Sequence, residues 1–103
     1  MVSLFYEAHH DSVFKLTRNG TQLSIPSSPG SRRAGIMSSA YDQNQSSTPA
    51  FQTLIYLDSP NSTDLLTYRL LHEGQALALN RTISNTNSAA YEQGTSRMIL
   101  MEI

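Results

Sequence analysis

Turn-forming residues interrupt this chain roughly every 10–14 residues, and between the interruptions apolar and polar side chains alternate with a period of two. A chain punctuated at that interval has room for short strands and none for a helix of useful length. Ser, Thr, Asn and Gln number 15, 9, 6 and 6 of the 103 residues, while hydrophobic residues make up 39% and charged residues 15%, against the usual ~45–50% and ~25%. Those neutral polar side chains hydrogen-bond locally and disfavour helix interiors, and Thr suits exposed strand faces. The reading is an all-β protein: an antiparallel β-sandwich, a single domain over residues 1–103, too small to build a second core.

The strands can be placed along the sequence. Residues 2–7 are rich in β-formers and begin without a polar lead-in. Residues 13–18 set Val13, Lys15 and Thr17 on one face and Phe14 and Leu16 on the other. Asn19-Gly20 supplies the positive φ angles of a tight hairpin, and residues 21–25 return with Leu23 and Ile25 on one face. Residues 26–35 (PSSPGSRRAG) form a long exposed loop, residues 36–40 a short strand, and residues 42–49 a second polar loop.

Residues 51–57 alternate Phe51, Thr53, Ile55 and Leu57 with Gln52, Leu54 and Tyr56, so both faces are apolar. That pattern predicts a central strand, or one whose outer face meets a partner chain. Residues 58–63 are dense in turn formers. Residues 65–72 resume as a strand, with Leu66, Tyr68 and Leu70 opposite Leu65, Thr67, Arg69 and Leu71, and residues 73–75 turn the chain back. A strand over 76–81, a polar connection over 82–96 with one helical turn at 89–93, and a final strand over 97–103 complete a set of seven to eight.

Composition also limits function. A formal net charge of −1, a single lysine (Lys15) and scattered arginines give no basic face, so nucleic acid is not expected as a partner. With no cysteine, neither disulfides nor a thiolate zinc site can staple the domain. No apolar run approaches the ~20 residues a membrane-spanning helix needs, and residues 1–6 lack the basic start of a signal peptide, so membrane insertion is not expected.

The ionisable cluster Glu7, His9, His10 and Asp11 is the one place where metal ligands concentrate, but on a strand His9 and His10 point to opposite faces and no distant ligand is marked. It reads as a polar turn between the first two strands, with His10 or His72 adding pH sensitivity at a subunit seam. No metal and no cofactor are expected. Serines and three histidines occur without a G-x-S-x-G elbow or a paired carboxylate, and the chain is read as no enzyme, with no catalytic residue. Four N-x-[ST] triplets, at Asn19, Asn44, Asn61 and Asn80, accompany the abundance of Asn, Ser and Thr. Arg32, Arg33, Tyr41 and Tyr91 are the candidate contacts for a ligand or receptor, since arginine pairs hold acidic or glycan groups and tyrosine stacks on sugars.

The segments 14–21 (FKLTRNGT), 57–60 (LDSP) with 66–70 (LTYRL), 79–82 (LNRT) with 85–91 (NTNSAAY), and 95–103 (TSRMILMEI) together resemble the C-terminal β-sandwich modules of viral and phage fibre, spike and capsid-decoration proteins. Those modules are similar to the trimeric jelly roll of the tumour-necrosis-factor and C1q type. The resemblance implies a jelly-roll-like homotrimer on the exterior of a virion, or otherwise in an extracellular setting. It implies other virion or capsid proteins and a host-surface glycan as partners, and host attachment or capsid stabilisation as the task. Modules of that type carry a further N-terminal strand pair, so this chain is either the C-terminal part of a longer protein or one whose partner supplies those strands. Leu54, Tyr56, Leu66, Tyr68, Leu70, Ile99 and Met101 are the candidate subunit contacts. A soluble carbohydrate-binding sandwich is the alternative.

Overall fold

The computed structural model describes residues 1–27, 30–40 and 46–102. Among the described residues eight strands are formed: β1 (Val2–Ala8), β2 (Val13–Arg18), β3 (Thr21–Leu23), β4 (Met37–Ser38), β5 (Ala50–Leu54), β6 (Tyr68–Glu73), β7 (Leu77–Leu79) and β8 (Arg97–Met98). Among the described residues there is no helix. The strands build two four-stranded antiparallel sheets, each organised around one long central strand. In the first, β1 pairs with β5 along one edge and with β7 and β8, end to end, along the other. In the second, β2 pairs with β6 on one edge and with β3 and β4 on the other. The pairings give the expected sandwich; they do not by themselves establish a jelly-roll winding.

The two central strands are consecutive, and their inward faces make the core. Val2, Leu4, Tyr6 and Ala8 of β1 are buried against Phe14 of β2, with Met37, Ala50, Leu54, Leu70 and Leu77 packed around them. Tyr6 and Phe14 meet edge to face, with ring centres 5.1 Å apart. At the β2–β3 hairpin Asn19 and Gly20 both have positive φ, as a two-residue turn with the twist of its strands requires. Asn19 also ties down the next layer of chain: its side chain accepts the Thr67 N–H at 2.7 Å and donates to the Leu65 carbonyl.

Several strands are shorter than their sequence pattern. The segment 51–57 forms a strand only as far as Leu54, which pairs with Val2. β5 is an edge strand among those described, not a central one. β6 begins at Tyr68 rather than residue 65, since Tyr68 pairs with Arg18 and β2 then turns at Asn19. The segment 97–103 is strand only over Arg97–Met98, Ile99 adds two backbone bonds to Met1, and residues 100–102 follow without strand pairing. β3 stops at Leu23, where Ser24 takes a positive φ, leaving Ile25 exposed. The turn at 73–75 does not reverse the chain within one sheet but carries it from the second sheet to the first, and residues 89–93 form a turn without a helix.

Gly74, in that crossing, has φ +135°, and a Cβ there would lie 2.1 Å from the Asp11 carbonyl oxygen and 2.7 Å from Ser12 Cα, both backbone atoms. Gly20 has φ +83° with open space around it. Gly20→Ala should therefore cost about 1 kcal/mol, the strain of the left-handed conformation alone. Gly74→Ala should cost more, on the order of 3 kcal/mol, because the β1–β2 connection must also move. Urea denaturation midpoints of the two variants measure the difference.

Candidate functional site

The polar residues singled out from sequence do not converge. Arg32 and Arg33 are both exposed, and Arg33 donates to Glu73 at 3.3 Å on the outer face of the second sheet, where Lys15 also pairs with Glu73. Lys15 and Arg33 together hold the Glu73 carboxyl below its ordinary range. Tyr91 is half-buried in the connection 82–96, which packs on the first sheet through Gly94 against the Phe5 ring. Tyr41 lies outside the described residues. The arginine pair and Tyr91 thus belong to opposite sheets.

The Glu7–Asp11 cluster is resolved into separate structural jobs. Glu7 is not in a turn: it is the penultimate residue of β1, fully buried, and its carboxylate accepts the Thr48 N–H and the Ile83 N–H at 2.7 Å each. It ties two long connections to the first sheet. His9 lies 3.3 Å from the Ser46 hydroxyl and His10 3.5 Å from Asp11, so the two imidazoles serve different neighbours. Among the described residues no three His, Asp or Glu side chains are grouped as a metal site. Sequence gave no sign of the Glu7 role, since its two donors lie 41 and 76 residues away.

One end of the sandwich is closed by a polar triad that sequence reasoning also missed. Asp58 accepts from Arg18 Nη1 and from the Tyr68 hydroxyl, both at 2.5 Å. Arg18, and then Tyr68, hold the Asp58 carboxyl below its usual range, while the same carboxylate raises the Tyr68 phenol. Of the proposed subunit contacts, Leu54 and Leu70 pack against the core, Leu66 and Tyr68 are half-buried, and Tyr56, Ile99 and Met101 are exposed.

The feature that draws residues from both sheets together is an apolar cleft of about 340 Å³ along one open side of the sandwich. β7 and β8 contribute Leu77, Leu79 and Met98 from one sheet; Leu70, Leu71 and His72 of β6 face them from the other, over a floor of Val2, Leu4 and Phe14. Leu71, Leu79 and Met98 are each between two-fifths and one-half exposed at its mouth. Beside it residues 99–101 run on with exposures of 43%, 63% and 83%. His72 sits against the Phe14 ring at 5.6 Å with its Nε2 buried and unbonded, and burial, followed by the nearby Arg33 charge, holds its pKa below the ordinary histidine value. A shallower hollow, bordered by Asn61, Ser62, Thr63 and Asp64, belongs to a single connecting segment.

The chain also leaves much surface uncovered. It exposes 7006 Å², whereas a compact monomer of 11.4 kDa exposes about 5,800 Å². Its radius of gyration is 15.2 Å against about 13 Å for a compact chain of this length. No family model, curated protein or solved structure matches this sequence or this fold.

His72 gives the cleft a measurable signature. Its lowered folded pKa means that, as pH falls below about 6.5, the unfolded chain takes up a proton that the folded chain refuses, so stability falls with pH until the folded value is passed. His72→Leu fills the same space without the unbonded nitrogen. Its denaturation midpoint should change less between pH 7.5 and pH 5 than that of the parent protein; an equal change in both would exclude His72 as the source.

Proposed function

We propose that this protein is a non-catalytic structural module that works as one of several identical copies in a surface assembly, of the kind to which fibre, spike and capsid-decoration modules belong. The observation that carries this reading is the excess of exposed surface, about 1,200 Å² over a compact monomer. A protomer in a stable assembly typically gives up about 800 Å² to a partner, so the excess is of the size that subunit contact removes. Its composition supports the same reading: Ile55, Leu57, Leu65, Leu71, Leu79 and Leu100 are exposed side chains that a free-standing domain of this size ordinarily covers.

The resemblance noted in the sequence supplies the number of copies, three, and the setting, the exterior of a virion with the connections 26–35, 42–49 and 82–96 turned outward. On that reading the apolar side of the sandwich faces inward to its neighbours. The polar loops are left for host-surface glycans or for other particle proteins. Arg32 and Arg33, both exposed in the first of these loops, are the candidate contacts for an acidic group.

Light scattering coupled to size exclusion at micromolar concentration tests the reading. A mass three times that of the chain is expected. A stable, well-folded monomer would overturn it and turn attention to a free-standing carbohydrate-binding sandwich, for which a glycan array is the direct measurement.

A further inference from the structure

The apolar cleft is bordered by two strand edges that lack partners among the described residues. β6 is bonded to β2 on one side only, and β8 with residues 99–102 is bonded to β1 on one side only. The direction of the free hydrogen-bonding groups follows from the contacts already made. Ile99 exchanges both of its backbone bonds with Met1, so the N–H and C=O groups of Met98 point the other way, out of the sheet, and strand geometry continued past Ile99 would aim those of Leu100 and Glu102 the same way. Thr67 accepts from Asn19 across the β2 side, so the alternating residues Tyr68, Leu70 and His72 present theirs to the open edge. Such an edge, six residues long and flanked by apolar side chains, is a ready template for another strand.

We infer that the segment 97–102 of one copy adds, antiparallel, to the open edge of β6 in a second copy, joining the first sheet of one protomer to the second sheet of the next. The inference rests on the assembly reading above and names its seam. Three independent constraints meet in one register, with Arg97 opposite Glu73, Met98 opposite His72, Ile99 opposite Leu71, Leu100 opposite Leu70 and Met101 opposite Arg69. The hydrogen-bonding residues of the two edges then face one another. Core-facing residues oppose core-facing residues, since Met98 pairs with Val2 in the core and Leu70 packs there too. Charge favours this register among those that satisfy both: a slide of two residues sets Arg97 against Leu71 and a slide of four sets it against Arg69, whereas here it meets Glu73.

The apolar pairs supply the attraction. Ile99 and Leu71, 43% and 45% exposed in the single chain, cover each other on the outer face, and Leu100 and Met98 close the cleft over Leu70 and His72. Glu73 already carries Lys15 and Arg33, so Arg97 joins an existing exposed cluster; that contact selects the register and adds little affinity. Because the edge donated differs from the edge received, each copy can give one edge and accept at the other, and such a head-to-tail contact closes into a ring where the rotation between copies permits.

The chain has no cysteine, so disulfide trapping reports this seam without background. Ile99→Cys and Leu71→Cys, each exposed and outside the core, are made as separate single-cysteine proteins, mixed and mildly oxidised. Residues opposite one another in a pair without mutual backbone bonds stand about 4.5 Å apart at Cα, within disulfide reach. A mixed disulfide should form several-fold faster than between Ile99→Cys and Arg69→Cys, which lie on the same face two residues out of register. Leu100→Asp, at a position open to solvent in the single chain, should convert the assembly to monomer at the same concentration while leaving the monomer's thermal unfolding unchanged. A parent protein that is oligomeric, yet shows no preference between the two cysteine pairs and keeps its assembly in Leu100→Asp, would overturn this seam and leave the assembly reading standing. A monomeric parent would remove both.

Discussion

The meeting of Tyr6 with Phe14 is the contact on which the rest of the structure depends. The two rings lie on the central strands of opposite sheets, and their edge-to-face packing fixes the distance and alignment of β1 over β2. Tyr6 is fully buried, so its hydroxyl must be satisfied: it donates to Gln52 of β5 and accepts the Ala40 N–H at 3.0 Å. Burial raises its pKa accordingly. One side chain thus joins the apolar core, the edge strand of its own sheet and the chain leaving β4. Every other strand among the described residues pairs with β1 or β2, so their placement follows from where this contact holds those two.

The two open sides of a sandwich need not be treated alike, and here they differ. On the β5 side, the polar ties of Tyr6 and Gln52 and the Glu7 carboxylate draw connecting segments over the sheets. On the β6 side, the strands facing β6 across the gap are β7 and β8, three and two residues long. The result is an apolar cleft along the β6 flank, with a histidine whose inner nitrogen is unbonded at the opening. Hydrophobic side chains left half in water along a strand edge are a liability for an isolated domain. In an assembly the same row is a binding surface.

Local patterns in the sequence were enough for the alternation of strands and turns. Residues 13–18 and the Asn19-Gly20 turn are where the alternation and the positive φ requirement placed them, because both are decided within a few residues. Strand length was less legible. The apolar alternation of 51–57, 65–72 and 97–103 continues well past the pairing observed, since a residue joins a ladder only where a partner strand runs beside it, and β2, for one, turns away at Asn19. The same limit hid the buried carboxylate of Glu7 and the triad of Arg18, Asp58 and Tyr68, whose members are brought together from as much as 76 residues apart.

By itself, then, the sequence determined the class of structure: many short antiparallel strands, no helix, and more apolar strand surface than one small core can hold. It did so through short-range physics, the period-two alternation of side chains and the backbone angles its Asn, Gly and Pro residues favour. Which of those apolar residues were to be covered was decided only in the tertiary structure. Pairing with β1 and β2 fixes the neighbouring strands, and the apolar residues outside that pairing, Leu100 and Met101 above all, were left exposed beside the cleft.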